Sequence, residues 1–220
     1  MALHYRKKYR NAEGKIVPGV TTVNKNLGWG SRGLMYWANT MGLAGKNMEE
    51  AREEVTAVGN YAHLAVEAAI KGQPFDLDAI DMTSDERKLV GHCLLGWERW
   101  REQSRFEMLA SEIEMVSEDH QYGGCCDVVA VHNRRAMLDL KTGAAIYSEN
   151  LIQIRAYGEL WNENNPDEPI EEYHLLRVGK EDASFHHHSW PAMALDDEWA
   201  AFLHLRALHG MKTRMEKRCK

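Results

Sequence analysis

The stretch from Tyr122 to Tyr157 sets the tightest limits on what this chain can fold into. Asp127 stands near the start of one apolar run, and Asp139-Leu140-Lys141 closes a second. The polar break His132-Asn133-Arg134-Arg135 lies between them. Two β-prone segments around a short polar break predict a β-hairpin. On a strand, residues two apart share a face, so Asp139 and Lys141 are expected to point the same way while Leu140 points into the core. The paired strand then supplies a second carboxylate, Asp127.

Such a grouping has a chemical use. Hard divalent cations such as Mg²⁺ take oxygen ligands, commonly one or two carboxylates with waters and a substrate phosphate. A bound cation acidifies its water and offsets charge building on a phosphoryl group. An ammonium beside the carboxylate then orients or helps deprotonate the attacking water. Asp127, Asp139 and the Leu140 carbonyl are candidate oxygen ligands, and Lys141 is the candidate ammonium. The triplet alone fits a solvated ion pair on a surface hairpin equally well.

Further motifs lie in order around it. Gly124 to Asp127 reads G-x-x-D, Asp139 to Thr142 reads D-x-K-T, and Gln153 to Tyr157 reads Q-x-x-x-Y. Upstream, Gly59 to His63 reads G-x-x-x-H, and further upstream stands Pro18-Gly19-Val20-Thr21-Thr22. With these motifs, across residues 16 to 160, the sequence resembles the PD-(D/E)XK nuclease superfamily, whose domains often open on an extended segment that residues 18–22 resemble. Within it the likeness is to the RecB-type exonuclease branch, which includes phage, CRISPR-associated adaptation and mitochondrial genome-maintenance exonucleases. Asn60 stands where many relatives have threonine, and His63 itself is matched.

The resemblance implies an α/β (α+β) fold with a restriction-endonuclease-like core: a central mixed, mostly antiparallel sheet flanked by the His63 helix and the Gln153 helix. It implies one domain over residues 1–220. Within it lie a basic, extended N-terminal segment (1–23), a catalytic core (24–161) and a C-terminal hairpin and helix (170–220). One or two Mg²⁺ or Mn²⁺ ions are expected between His63, Asp127, Asp139 and the Leu140 carbonyl. Glu112, at a place where relatives often carry glutamate, is a further candidate ligand, or else a charge on an edge strand. Lys141, Gln153 and Tyr157 join Asp127 and Asp139 as catalytic candidates. The implied activity is exonuclease action on DNA, single-stranded or with free ends, in recombination, repair or phage DNA processing, with recombination or replication proteins as partners. A structure-specific endonuclease of the same fold and a non-catalytic nucleic-acid-binding module are the rival readings. Relatives with an iron–sulfur cluster carry one cysteine before the histidine motif and three near the C-terminus. Cys93, Cys125, Cys126 and Cys219 do not follow that pattern, so no cluster is expected.

Composition constrains the rest. At 220 residues and 44% apolar content the chain can bury a sizeable core. A net charge of −6 lacks the bulk basic footprint of many nucleic-acid binders, although a local basic patch can still dominate a cleft. Cysteine usage suits a reducing cytoplasm, the host's if the gene is a phage's. There is no apolar run of about 18 residues to span a membrane.

Local patterns place the remaining elements. The basic, aromatic segment His4 to Arg10, with Arg6, Lys7 and Lys8, reads as a phosphate grip or as a solvated terminal strand pairing with residues 15 to 23. Gly33 to Met41 predicts a short helix. Asn47 with Glu50 three residues on predicts a capping box opening a helix that carries Ala51, Val58, Ala62 and Ala65, with His63 and Glu67 side by side. By itself His63 fits a hydrogen-bonded core histidine as well as a ligand. Glu67 is a partner of that site or an exposed ion-pair residue. A second capping box, Thr83 to Glu86, opens a helix whose Val90, Cys93, Trp97 and Trp100 read as core. Leu109 to Val116 predicts a strand with Glu112 and Glu114 on one face. A helix over Tyr147 to Trp161 places Gln153 beside Tyr157 and points Arg155 elsewhere, where it is a candidate nucleic-acid contact. Glu171 to Val178 and Ser184 to Trp190 predict a hairpin whose His186-His187-His188 run reads as a polar strand more than a metal tract. An amphipathic helix with a basic end closes the chain.

Overall fold

A computed structural model describes the backbone of residues 8–219 and, within it, all side chains except those of Ser31, Arg32 and Val55. Its centre is a five-stranded sheet in the spatial order β3 (Glu107–Ser117), β4 (Tyr122–His132), β5 (Arg134–Lys141), β6 (Glu172–Val178), β7 (Phe185–Pro191). Neighbours are antiparallel except β5 and β6, which run parallel. The expected mixed, mostly antiparallel sheet is therefore present, with helices on both faces.

Alternation along the strands makes the two layers. Val128, Ala130, Ala136, Leu138 and Leu140 point to one face and pack with Ala62 and Val66 of α3 (Met48–Ile70) and Trp97 and Trp100 of α4 (Ser84–Gln103). Val129, Met137, Tyr173 and Leu175 point to the other. They pack with Ile154, Ala156 and Leu160 of α5 (Ser148–Asn164), Val20 and Val23 of α1 (Val20–Asn24), and Phe202 of α6 (Asp196–Arg218). Residues from both ends of the chain thus share one core, and β6 with β7 belongs to the central sheet.

Thr83 with Glu86 forms the expected reciprocal box, whereas the box expected at Asn47 is present by its Asn47 half, Oδ1 accepting from the backbone N–H groups of Glu49 and Glu50. Gly72, at φ +62°, lets the chain turn out of α3. Among the described residues, no helix is long and apolar enough to cross a membrane.

Three expectations change. Among the described residues the N-terminal hairpin is β1 (Tyr9–Arg10) against β2 (Ile16–Val17), with residues 18–23 outside it; residues 4–7 of the expected strand, with Arg6 and Lys7, lie outside the described residues. Residues 20–22, expected to be extended, begin α1. Val20 and Val23 are almost wholly buried against the α5 layer, and that burial outweighs the strand preference of β-branched residues. The short helix near Gly33 is α2 (Ser31–Leu43), but Leu34, Met35, Tyr36 and Leu43 are exposed, so its apolar residues are only partly covered.

Candidate active site

The site forms where the β4–β5 ladder opens. Backbone pairing runs from His132↔Arg134 to Val128↔Leu138 and stops there. Beyond it the Asp127 side chain replaces the missing strand partner: the Leu140 N–H donates to Asp127 Oδ2 at 2.8 Å. In a strand, the N–H and C=O of one residue face the same edge, so the Leu140 carbonyl is turned to the same gap. Asp139 and Lys141 pair with β6 on the other edge, opposite Leu175 and Arg177.

Asp127 is also where β4 loses its alternation. Cys126 and Val129 lie on the α5 face, with Val128 on the α3 face. Across the ladder, Glu112 stands opposite Asp127 at φ +52°, in the left-handed region that side chains rarely adopt. Local distortions of this kind re-aim side chains. The outcome is that one ligand atom from each of His63, Glu112 and Asp127 lies within 4.8 Å of the others. His63 Nδ1 is 3.4 Å from Asp127 Oδ2, and the Cys125 thiol donates to Glu112 Oε2 at 3.3 Å. His63, Glu112 and Asp127, with Glu67, line a cavity of about 10 Å³, roughly the space one water-sized species needs. Glu67 also pairs with Lys71.

The electrostatics follow from burial and mutual charge. Burial disfavours charge on both His63 and Asp127, but their attraction outweighs it. The His63 pKa is raised, and the Asp127 carboxyl, helped by Lys141 and the Leu140 N–H, stays below its usual range. Glu112 is raised, first by burial and then by the Asp127 charge. Three oxygen- or nitrogen-bearing donors around a water-sized cavity, with an excess of acids, suit a hard divalent cation.

A second row leads away from these ligands. Asp139 is 2% exposed, and its Oδ2 is 2.6 Å from Lys141 Nζ. That contact is one of charge more than of hydrogen-bond alignment, so the buried oxygen keeps acceptor capacity. Burial, reinforced by Asp127 and opposed by Lys141, pushes Asp139 up to about 6. Lys141 Nζ donates to Gln153 Oε1 at 3.1 Å, and Gln153 Nε2 donates to the Tyr157 hydroxyl oxygen at 3.0 Å. Burial, with Asp139 adding to it, raises the Tyr157 pKa. Two motif glycines allow this approach. A Cβ on Gly124 would stand 2.7 Å from Tyr157 Cε1, and one on Gly59 would stand 3.2 Å from Thr142 Oγ1.

The structure therefore brings together His63, Glu112, Asp127, Asp139, the Leu140 carbonyl, Lys141, Gln153 and Tyr157. Other candidates fall elsewhere. Lys8 is exposed. Arg155, expected to touch nucleic acid, is buried: it pairs with Glu159, donates to the Tyr173 hydroxyl at 3.0 Å and lies over the Trp199 ring. Its charge is taken up inside the fold, and the nucleic-acid expectation for it is corrected. The His186-His187-His188 run is an exposed edge strand, as expected. His187, however, accepts from Trp100 Nε1 at 3.2 Å and meets His174 at 2.9 Å. For Cys125 the sequence predicts no more than a buried or free thiol. Its position two residues before Asp127 was the available signal for its contact with Glu112.

No protein-family profile matches the sequence, nor does any curated protein. Among solved structures, the alkaline exonuclease LHK-Exo from Laribacter hongkongensis aligns at 10% identity over 74% of this chain and 86% of its own, with a TM-score of 0.34. LHK-Exo in complex with dAMP aligns over the same shares with a TM-score of 0.37. SSO0001 aligns at 15% identity over 67% and 70%, with a TM-score of 0.32. Superpositions this loose do not bear on chemistry, which has to be read from the geometry of the site.

Proposed function

We propose that this chain is a metal-dependent nuclease of the RecB-type branch that degrades DNA from its ends. The observation that carries the reading is the continuous row Asp139, Lys141, Gln153, Tyr157 running into the His63, Glu112, Asp127 donor set at the opened β4–β5 ladder. His63, Asp127, Asp139 and the Leu140 carbonyl, with Glu112 beside them, would hold one or two Mg²⁺ or Mn²⁺ ions. Such an ion, when bound, acidifies water and offsets negative charge on the phosphate.

The chain's own groups supply position. Lys141, held between the Asp139 carboxylate and the Gln153 amide oxygen, is placed to orient a water for in-line attack on phosphorus. Gln153 fixes the ammonium on one side, and Tyr157 fixes Gln153 on the other. Attack with departure of the 3′ oxygen leaves a 5′-phosphate and a 3′-hydroxyl. Recombination, repair or phage DNA processing is the setting this activity suits, in the cytoplasm, alongside recombination or replication proteins.

The test uses wild type and Lys141→Ala on end-labelled linear DNA and covalently closed circles, with Mg²⁺, Mn²⁺ or chelator. Metal-dependent shortening of linear DNA, absent in the variant, is the expected result. Cutting of circles would instead make the protein an endonuclease. DNA retention without any cleavage would leave a binding module.

A further inference from the structure

The Gln153 side of the site opens into a groove of about 320 Å³ between the α1–α2 corner and the start of α5. Its lining is mixed in chemistry: the aromatic Trp29, the cationic Lys25, the polar Thr21 and Asn24, the acidic Glu149, and Gln153 itself. Each wall has a structural cause. Gly28, at φ +69°, turns the chain sharply after α1, and Trp29 follows it at 61% exposure. The Asn24 amide donates to the Glu149 carbonyl at 3.2 Å and ties the α1 wall to the α5 wall. Gln153, whose Oε1 accepts from Lys141, places one end of the groove beside the candidate catalytic lysine.

We propose that this groove is the seat of an unpaired nucleotide of a single-stranded DNA substrate, with its base laid on Trp29 and its phosphate near Lys25. The inference rests on the nuclease reading of the same site and adds the form of substrate. Three features favour this occupant. A tryptophan so exposed beside a lysine supplies stacking and charge together, the pairing by which single strands are held without regard to sequence. The Glu149 carboxylate and the Thr21 hydroxyl in the lining offer an acceptor for a base N–H and a donor for a base carbonyl. The groove is also continuous with the Lys141 row, so a nucleotide seated in it presents its neighbouring phosphate to that row. A base can lie on Trp29 only when it is out of a duplex, since paired bases have their faces covered by stacking.

The test is a binding measurement in chelator, where no cleavage occurs. Fluorescence anisotropy of labelled oligothymidylate is followed for wild type, Trp29→Ala, Trp29→Phe and Lys25→Ala, with a blunt duplex and an abasic oligonucleotide of equal length as further probes. Trp29→Ala is expected to weaken oligothymidylate binding about 5- to 100-fold. Trp29→Phe should recover most of that loss, and the abasic strand should bind wild type as weakly as oligothymidylate binds Trp29→Ala. Circular dichroism establishes that each variant is folded. Wild-type affinity for the duplex equal to that for the single strand, or unchanged affinity in Trp29→Ala, overturns the proposal. Trp29-dependent binding in a protein that never cleaves with metal would remove the nuclease reading and leave the groove assignment standing. Cleavage that is indifferent to Trp29 would do the reverse.

Discussion

Gly124→Ala adds one methyl group near the centre of the site without touching any acid or base. The added Cβ would meet Tyr157 Cε1 at 2.7 Å, Leu160 Cδ1 at 2.8 Å and Tyr157 Cδ1 at 2.9 Å. Real carbon atoms do not approach so closely, and neither neighbour can yield freely. Tyr157 is 6% exposed and Leu160 fully buried, both packed in the α5 layer. Overpacking of this kind costs about 1–3 kcal/mol, and at this chain length each kcal/mol lowers Tm by roughly 2–4 °C. The chemical consequence is larger than the stability loss suggests. A shifted Tyr157 pulls on Gln153, and Gln153 holds Lys141. Thermal denaturation and single-turnover cleavage of linear DNA measure the two effects. Tyr157→Leu should relieve the clash, so the double variant should be more stable than the sum of the single effects predicts, with a coupling of about 0.5–3 kcal/mol. Its cleavage should stay impaired because the hydroxyl is gone. Full stability and full activity in Gly124→Ala would refute the account of why glycine stands there.

Four other outcomes follow from the same geometry. Lys141→Ala should cut cleavage by about 10²–10⁴-fold while Mn²⁺ still binds, as followed by the electron paramagnetic resonance of the free ion. Arg155→Ala breaks a buried pairing with Glu159 and should cost about 3–5 kcal/mol in a urea melt, yet leave oligonucleotide affinity of the folded fraction unchanged. Burial, with the His132 charge adding to it, pushes His174 down to about 4. The unfolded chain, with histidine near 6.5, therefore takes the proton first, and this contribution to stability is complete above pH 6.5 and lost as pH falls toward 4. The loss is on the order of 3 kcal/mol for this buried ring, and His174→Phe should flatten that part of the stability–pH curve. Thr83→Ala removes the cap of α4 and should cost about 1 kcal/mol without changing cleavage.

Much of the site was readable before folding because strand and helix periods are short-range facts. Asp139 and Lys141 had to share a face with Leu140 turned inward, and Gln153 and Tyr157 had to stack one helical turn apart. Capping residues located the starts of α3 and α4, since the side chains that satisfy the first free N–H groups lie next to them in sequence. The motif glycines were visible as residues, but their reason was not. Gly124 and Gly59 exist to admit Tyr157 and Thr142, contacts between segments far apart in the chain. Tertiary structure alone decided the rest. The N-terminal valines entered a helix because the α5 layer buries them. Arg155 turned inward because Glu159, Tyr173 and Trp199 meet around it. Glu112 took a left-handed backbone opposite Asp127, where the ladder breaks. Spacing along the chain specifies which face a residue occupies, whereas the distances that make a cation site or a nucleotide groove are set by how separate layers come to rest against one another.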